Sequence, residues 1–276
     1  MECKVKFEKT NFIKRFNSML RVDFKRLFLS RAFYIIVAAC LVAPILILVM
    51  TTMMDGTVSV NPQTKEETVI EGFDYVWQIV GSVSEMGTSG GGDMSAMDMS
   101  LTSMCNINML YFAIAALVCI FVSEDFTSGY SKNLFTVRAK KTDYVVSKTI
   151  VLSIGAAMMI LAFFVGSLIG GAVSFLSFEM VGFNALNLVW CVFSKMIIVS
   201  VFVPIYLVMS VVPKDKLWMS LLLSMMVGMF LFVMIPLLTP LNSTIVNPLL
   251  CGLGGVVFGF GLGAVSNLVL KNTSLV

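Results

Sequence analysis

Residues 217–270 decide the fold; they read LWMSLLLSMMVGMFLFVMIPLLTPLNSTIVNPLLCGLGGVVFGFGLGAVSNLVL, 54 consecutive positions without Asp, Glu, Lys or Arg. A helix needs about 20 apolar residues to cross a bilayer, so this run is long enough for two membrane spans and a turn. Four further apolar runs lie upstream, at 32–54, 101–123, 149–178 and, interrupted only by Lys195, 180–213. The sequence therefore predicts one all-α integral membrane domain, 1–276, with six transmembrane helices.

The composition excludes several classes of protein. Hydrophobic residues make up 58% of the chain, charged residues make up 13%, and the mean hydropathy is +0.94, whereas soluble domains carry about 25% charged residues. The chain has no His, which excludes HExxH metalloproteases, His-containing triads and His proton relays. No CxxC pair occurs, so the cysteines are predicted to be small apolar residues rather than disulfide or zinc ligands: Cys3, Cys40, Cys105, Cys119, Cys191 and Cys251.

The basic residues predict the orientation. Residues 1–31 contain nine Lys and Arg, too long and too basic a leader for a signal peptide, so we expect the first span to be retained. A cytoplasmic N-terminus places 17 of the 19 Lys and Arg on the same side of the membrane. The loop at 55–106 would then be extracellular, with eight acids and only Lys65. We therefore expect a multi-pass protein of the cell membrane with both termini in the cytoplasm.

The N-terminal segment, 1–31, has helical periodicity. Apolar residues recur at spacings of three and four and basic residues occupy the other side, which predicts an amphipathic helix lying in the membrane plane. An ordinary basic flank that only sets the topology is the alternative. The apolar set is Phe12, Ile13, Phe16, Met19, Leu20, Phe24, Leu27 and Phe28, and the basic set is Lys14, Arg15, Arg21, Lys25 and Arg26.

Two loops carry distinctive patterns. In the extracellular loop, residues 68–84 are apolar enough for a short structured element, and the Gly/Ser/Met tract 87–104 favours a mobile lip. A copper(I) site at Met94, Met97 and Met99 is the alternative for that tract. The cytoplasmic loop 123–149 is much longer than a helix hairpin requires. We expect it to form a short helix parallel to the membrane, with a solvated loop as the alternative.

Small residues and prolines indicate how the helices pack. Gly255, Gly259 and Gly263 form a GxxxGxxxG stripe, which predicts a close helix contact within or between subunits. A second group of glycines lies in the third span, at Gly166, Gly170 and Gly171. Prolines between the fifth and sixth spans favour a short re-entrant element on the outer side, at Pro236, Pro240 and Pro248.

Lys195 is the one charge clearly inside a span. Its distance from Pro213, about 27 Å along a helix, places it near the outer interface of the membrane. Snorkelling to the outer headgroups is one interpretation. A role in lining a translocation path is the other.

The loop 123–149 resembles a motif of the ABC type-2 exporter permeases. Glu124 and Asp125 end a span, Gly129 and Leu134 follow, and Arg138 and Lys148 lead into the next span, in an order similar to the family's Glu…Gly-Thr…Leu-Leu…Pro-x-Ser-Arg…Lys pattern. Tyr130 stands where the family has Thr, and Val137 and Ala139 flank Arg138 in place of Pro and Ser. Six spans, cytoplasmic termini and a basic in-plane helix extend the resemblance along the chain.

The resemblance implies a transport subunit rather than an enzyme. Two permease subunits, identical or different, would pair and dock on two ATP-binding cassette ATPase subunits, which hold ATP and Mg²⁺. The chain has no GxxxxGK[ST] phosphate-binding motif and so no cofactor of its own is expected. The coupling loop would fit a groove of the ATPase through Glu124, Asp125, Gly129, Arg138, Lys140, Lys141 and Lys148, with Glu124 and Asp125 able to meet basic groups of the in-plane helix or the partner.

The expected cargo is an amphipathic peptide, of the antimicrobial or lantibiotic-like kind, or a lipid-like compound, because nearly uncharged spans offer no site for a compact ion. An ion-coupled secondary transporter or channel is the alternative, although such proteins usually carry intramembrane acids. An intramembrane protease or lipid transferase would need a group of buried polar residues that includes a carboxylate. The predicted spans contain no Asp or Glu, so this class is disfavoured. No feature indicates nucleic-acid binding.

Overall fold

In the computed structural model, the described residues are 12–60, 67–69, 72–81, 105–137, 141–213, 216–232 and 234–272. These residues form mainly α-helices, because a backbone in lipid must satisfy its own hydrogen bonds. The helices are α1 (Phe12–Leu29), α2 (Arg31–Met54), α3 (Leu110–Thr127), α4 (Tyr130–Val137), α5 (Lys141–Val173), α6 (Ala185–Val211), α7 (Leu217–Phe232), α8 (Met234–Leu238) and α9 (Val246–Asn272).

Five helices of the described chain are long and apolar enough to cross a membrane, namely α2, α3, α5, α6 and α9. The prediction of an all-α, multi-pass membrane protein is confirmed at this level. The sixth predicted span corresponds to α7, which has 16 residues. At 1.5 Å per residue α7 is about 24 Å long, short of a bilayer core of about 30 Å. The count of six spans therefore stays a prediction.

Helix α6 is the centre of the bundle. It contacts α3, α5, α7 and α9, and one side of α5 packs along α2. Helix α6 is buried along most of its length, with Phe202, Tyr206 and Val211 among its enclosed side chains. By contrast, α2 and α9 expose apolar faces along most of their lengths. Lipid can cover those faces at no cost, since its acyl chains are as apolar as a protein core.

Helices α5 and α2 pack with their backbones close together. A Cβ atom built on Gly166 would lie 2.2 Å from the carbonyl oxygen of Leu41, and one on Gly170 would lie 2.9 Å from the Cα of Ile45. Both positions allow the two backbones to touch, which is the contact that small residues make possible. Gly171 leaves room for the side chain of Val76, which lies in the segment between α2 and α3.

The stripe predicted in the last span behaves differently at each glycine. A Cβ on Gly255 would collide with the Ser200 side chain of α6, whereas one on Gly263 would meet only Val145 at 3.9 Å. Nothing lies within 4 Å of a Cβ on Gly259 in the described chain. The prediction of a close contact along the whole stripe is therefore wrong for contacts within the chain. A contact with another subunit stays a prediction.

Three short elements follow α2. Strands β1 (Val58–Val60) and β2 (Glu67–Val69) pair antiparallel. A 3₁₀ helix, Val76–Ile79, lies within the apolar segment that the sequence predicts to be structured. Its Trp77 is buried and donates an Nε1–H hydrogen bond to the carbonyl oxygen of Phe178, at 3.1 Å. The Met-rich tract, including Met94, Met97 and Met99, lies outside the described residues.

Candidate functional site

Four charged side chains meet inside the protein where α1, α3 and α5 converge. We call Asp23, Arg26, Asp125 and Lys148 the charge cluster. The Lys148 ammonium lies 3.0 Å from Asp23 Oδ1 and 2.7 Å from Asp125 Oδ2. The other oxygen of Asp125, Oδ1, lies 2.5 Å from Arg26 Nη1. Two acids and two bases thus alternate in one chain of contacts.

Neighbouring side chains complete the hydrogen bonding of the two carboxylates. Tyr144 donates its hydroxyl proton to Asp125 Oδ2 at 2.9 Å, and Ser147 donates to Asp23 Oδ2 at 2.6 Å. The Lys148 ammonium lies 4.0 Å from the ring centroid of Phe121, which adds a cation–π contact. Polar and aromatic groups therefore replace the water that the charges lost on burial.

The spacing within each helix explains the convergence. Asp23 and Arg26 are three apart on α1, and Tyr144, Ser147 and Lys148 lie within one turn of α5. Residues three and four apart share a helix face, so each helix presents its members together. Asp125 comes from the last turn of α3. Each of the three helices α1, α3 and α5 thus contributes one face to the charge cluster.

Burial makes the cluster expensive to break. Asp23, Asp125 and Lys148 have no exposed surface. Burial acts to lower the pKa of Arg26, but the charge of Asp125 and its hydrogen bond outweigh burial, so the pKa of Arg26 lies above its ordinary value. Removing one partner of such a group leaves a buried charge uncompensated, at a cost of about 3–5 kcal/mol.

The predicted coupling residues do not all lie together. Asp125 and Lys148 belong to the charge cluster, whereas Glu124 is exposed. Gly129 has a φ of +72° and makes the turn from α3 to α4, a conformation that favours glycine. The Lys141 ammonium donates to the carbonyl oxygen of Leu270 on α9. Arg138 and Lys140 lie outside the described residues.

The expected contact between the loop and the first helix is present at Asp125 and Arg26, whereas a water-facing Asp125 is excluded by its burial. The predicted faces of α1 need correction. Arg26, assigned to the headgroup-facing side, turns inward to Asp125. Ile13, assigned to the lipid-facing apolar side, is exposed, so that face stays a prediction. Sequence reasoning missed Asp23. The available signal was an acid in the middle of a basic helix.

Lys195 forms a second buried polar site, near the opposite end of α3. Its ammonium donates to Asn108 Oδ1 and to Thr239 Oγ1, both at 2.9 Å, and the side chain has no exposed surface. The Tyr111 hydroxyl donates to the Lys195 carbonyl oxygen at 2.8 Å. The interpretation that Lys195 snorkels to the headgroups is therefore wrong, because protein encloses its ammonium group. The role in a translocation path stays a prediction.

The two sites lie about 21 Å apart along α3, as judged from the rise between Tyr111 and Asp125. Comparison of the chain with protein families, with curated proteins and with solved structures finds no match.

Proposed function

We propose that this chain is the transmembrane permease subunit of an ATP-driven exporter, paired with a second permease subunit and driven by a separate ATP-binding cassette ATPase. The supporting observation is the charge cluster. It joins the first helix to both ends of the loop 123–149, since Asp125 precedes α4 and Lys148 follows it. A force applied to that loop would reach three helices through buried ion pairs.

Helix α4 is the element that would enter a groove of the ATPase. Gly129 forms the turn before it, and Glu124 remains exposed beside that turn, available to a partner. A rigid joint at the base of the loop suits such a role, because a displacement of α4 would move α1, α3 and α5 as one body. Coupling of this kind needs an element with two discrete arrangements. In this proposal α4 has one position with the ATPase open and another with it closed.

The proposed setting is the cell membrane, with both termini and the charge cluster on the cytoplasmic side. The basic asymmetry of the sequence supports this orientation. The cargo would be amphipathic, either a peptide or a lipid-like compound, released on the side where Lys195 lies. ATP and Mg²⁺ would be bound by the ATPase subunits.

One observation favours the alternative, an ion-coupled transporter or channel. Lys195 is an enclosed ionisable group within a span, and such groups often mark ion pathways. However, both buried acids of the described chain that pair with lysine, Asp23 and Asp125, are already neutralised within the charge cluster. The exporter remains the better-supported proposal.

The test is co-expression of this chain with the open reading frames that neighbour its gene. We expect an ATPase with a Walker A motif to co-purify with the tagged protein and to hydrolyse ATP. Glu124→Ala should lower cargo-stimulated hydrolysis while the amount of protein in the membrane stays unchanged. Asp74→Ala is the matched control, since Asp74 is an exposed acid beyond the far end of the bundle. Absence of an ATPase, together with transport driven by an ion gradient in liposomes, would support the alternative.

A further inference from the structure

Helix α1 has two faces of different character. Asp23 and Leu27, four residues apart, face α5, where Asp23 pairs with its lysine and Leu27 lies against Gly155. Arg21 and Lys25 are offset from them by two positions, which places them on the opposite face of the helix, and both are exposed. Asp23 is the only acid of α1. The outward face is therefore basic, with no carboxylate on its own helix to neutralise it.

The outward bases lie at the level where the apolar part of α5 begins. Asp23 contacts Lys148, the last charged residue of α5, and residues 149–173 carry no charge. Lys148 therefore marks the boundary between headgroups and hydrocarbon on this helix. Arg21 and Lys25 are each two residues from Asp23, about 3 Å along α1. Their long side chains therefore reach the layer of lipid phosphates.

Arg31, at the start of α2, lies deeper. A Cβ atom built on Gly155 would lie 2.9 Å from Leu27 and 3.4 Å from Phe33, the residues that bracket Arg31 in the sequence. Gly155 is seven residues past Lys148, about 10 Å into the apolar part of α5. Arg31 is exposed near this level. A charge exposed to lipid is costly unless it extends to the headgroups or draws an anion toward itself.

None of these three bases has an acidic partner in the described chain, where the ion pairs use Arg15, Arg26 and Lys148 instead. Their surroundings favour lipid over a soluble acidic protein. Exposed apolar side chains flank the bases and would be covered by acyl chains but not by a partner in the cytoplasm. These side chains are Phe28, Leu29, Tyr34 and Ile35.

We propose that Arg21, Lys25 and Arg31, which we call the corner site, bind the headgroup phosphates of anionic phospholipids in the leaflet next to the charge cluster. The bases complement the charge of the lipid, and its acyl chains cover the flanking apolar side chains. Asp23 and Arg26 join the same helix to the charge cluster, so a lipid bound at the corner site holds α1 on the bundle. This inference goes beyond the proposed function and depends on neither an ATPase nor a cargo.

Native mass spectrometry of the full-length protein measures this binding. The protein is released from nanodiscs that contain equal amounts of phosphatidylglycerol and phosphatidylcholine with the same acyl chains. We expect phosphatidylglycerol to be retained preferentially. Each of Arg21→Gln, Lys25→Gln and Arg31→Gln should lower that preference about five-fold, the contribution of one base near an anionic surface. Equal retention of the two lipids, or an unchanged preference in all three variants, would overturn the proposal.

Two matched controls distinguish a site from a general effect of net charge. Lys14→Gln removes a base from the same face of α1, 11 residues or about 16 Å before Lys25. Lys216→Gln removes an exposed base just before α7. Both should keep the preference for phosphatidylglycerol, and a five-fold loss in both would contradict a site at the corner. Glycerol phosphate should not displace the lipid at matched ionic strength, and displacement would show that the acyl chains contribute nothing.

Thermal unfolding tests the consequence for α1. Phosphatidylglycerol should raise the melting temperature above its value in phosphatidylcholine, because a ligand that binds the folded state stabilises it. The triple variant of the corner site should fold, since its replaced side chains are exposed, and should melt at the same temperature in both lipids. A rise that the triple variant retains would contradict the proposal. If this variant kept its lipid preference but lost a co-purifying ATPase, the bases would belong to that partner's interface and the lipid site would be discarded.

Discussion

At the scale of single residues, the strongest constraint is the pairing of Lys148. One ammonium holds two buried carboxylates, Asp23 and Asp125, and the second carboxylate also holds Arg26. Each charge is tolerated in the interior only because the others are present. The four charges therefore stabilise one another as a network. Replacing one of them should cost more free energy than the loss of a single ion pair.

Replacing Lys148 by Met leaves Asp23 without its ion pair and should destabilise the protein by about 3–5 kcal/mol. We expect a clear fall in melting temperature, which can be measured as the loss of the monodisperse peak of the protein in detergent on heating. Lys25→Met, at an exposed position of α1, should change little. The double variant Lys148→Met with Asp23→Asn should recover part of the loss, because it removes the unpaired acid. Additive losses would show that the two residues act independently.

At the scale of elements, close packing depends on which glycine meets a backbone. Gly166 and Gly170 let α5 touch α2, and Gly255 receives Ser200, but Gly259 faces open space. Spacing alone does not separate these cases, because all of these residues have a glycine partner at three or four positions.

Gly166→Leu should lower stability by more than the 1–3 kcal/mol typical of an overpacked core, since its Cβ alone would lie 2.2 Å from a carbonyl oxygen. Val165→Leu, on the exposed side of the same helix, is the control. Melting temperature and yield after detergent extraction measure the difference. Similar behaviour of the two variants would mean that α2 and α5 do not touch there.

Gly259→Leu tests the contact between subunits. Within one chain the substitution meets nothing within 4 Å, so the monomer should remain as stable as Val257→Leu. If a second permease subunit packs on this part of the stripe, Gly259→Leu should lower the yield of the assembled complex while Val257→Leu does not. Equal yields would assign Gly259 to lipid.

At the scale of the whole molecule, the orientation decides which site is cytoplasmic. In a chain whose native cysteines are replaced by Ser, Thr57→Cys should react with an impermeant maleimide from outside, and Ser128→Cys only after permeabilisation, since both positions are exposed at opposite ends of the bundle. Labelling of Ser128→Cys in intact cells would show that the orientation is the opposite one. The charge cluster would then lie outside, and docking of α4 on a cytoplasmic ATPase would be excluded.

The sequence by itself determined which segments are membrane helices. Hydropathy over about 20 residues is a local quantity, and the apolar runs that it marked overlap α2, α3, α5, α6 and α9, although not at the observed bounds of α3, α5 and α9. It also located the polar loop 123–149 and single residues of interest, among them Asp125, Lys148 and Lys195.

Only the tertiary structure decided which faces meet. A span that is apolar all round does not indicate its protein-facing side, because lipid and core are equally apolar. The partners of the charge cluster come from α1, α3 and α5, and Asp23 and Lys148 are 125 positions apart. The Lys195 ammonium has its hydrogen-bond acceptors in Asn108, just before α3, and in Thr239. Such pairings depend on how helices distant in sequence pack together, which local periodicity does not encode.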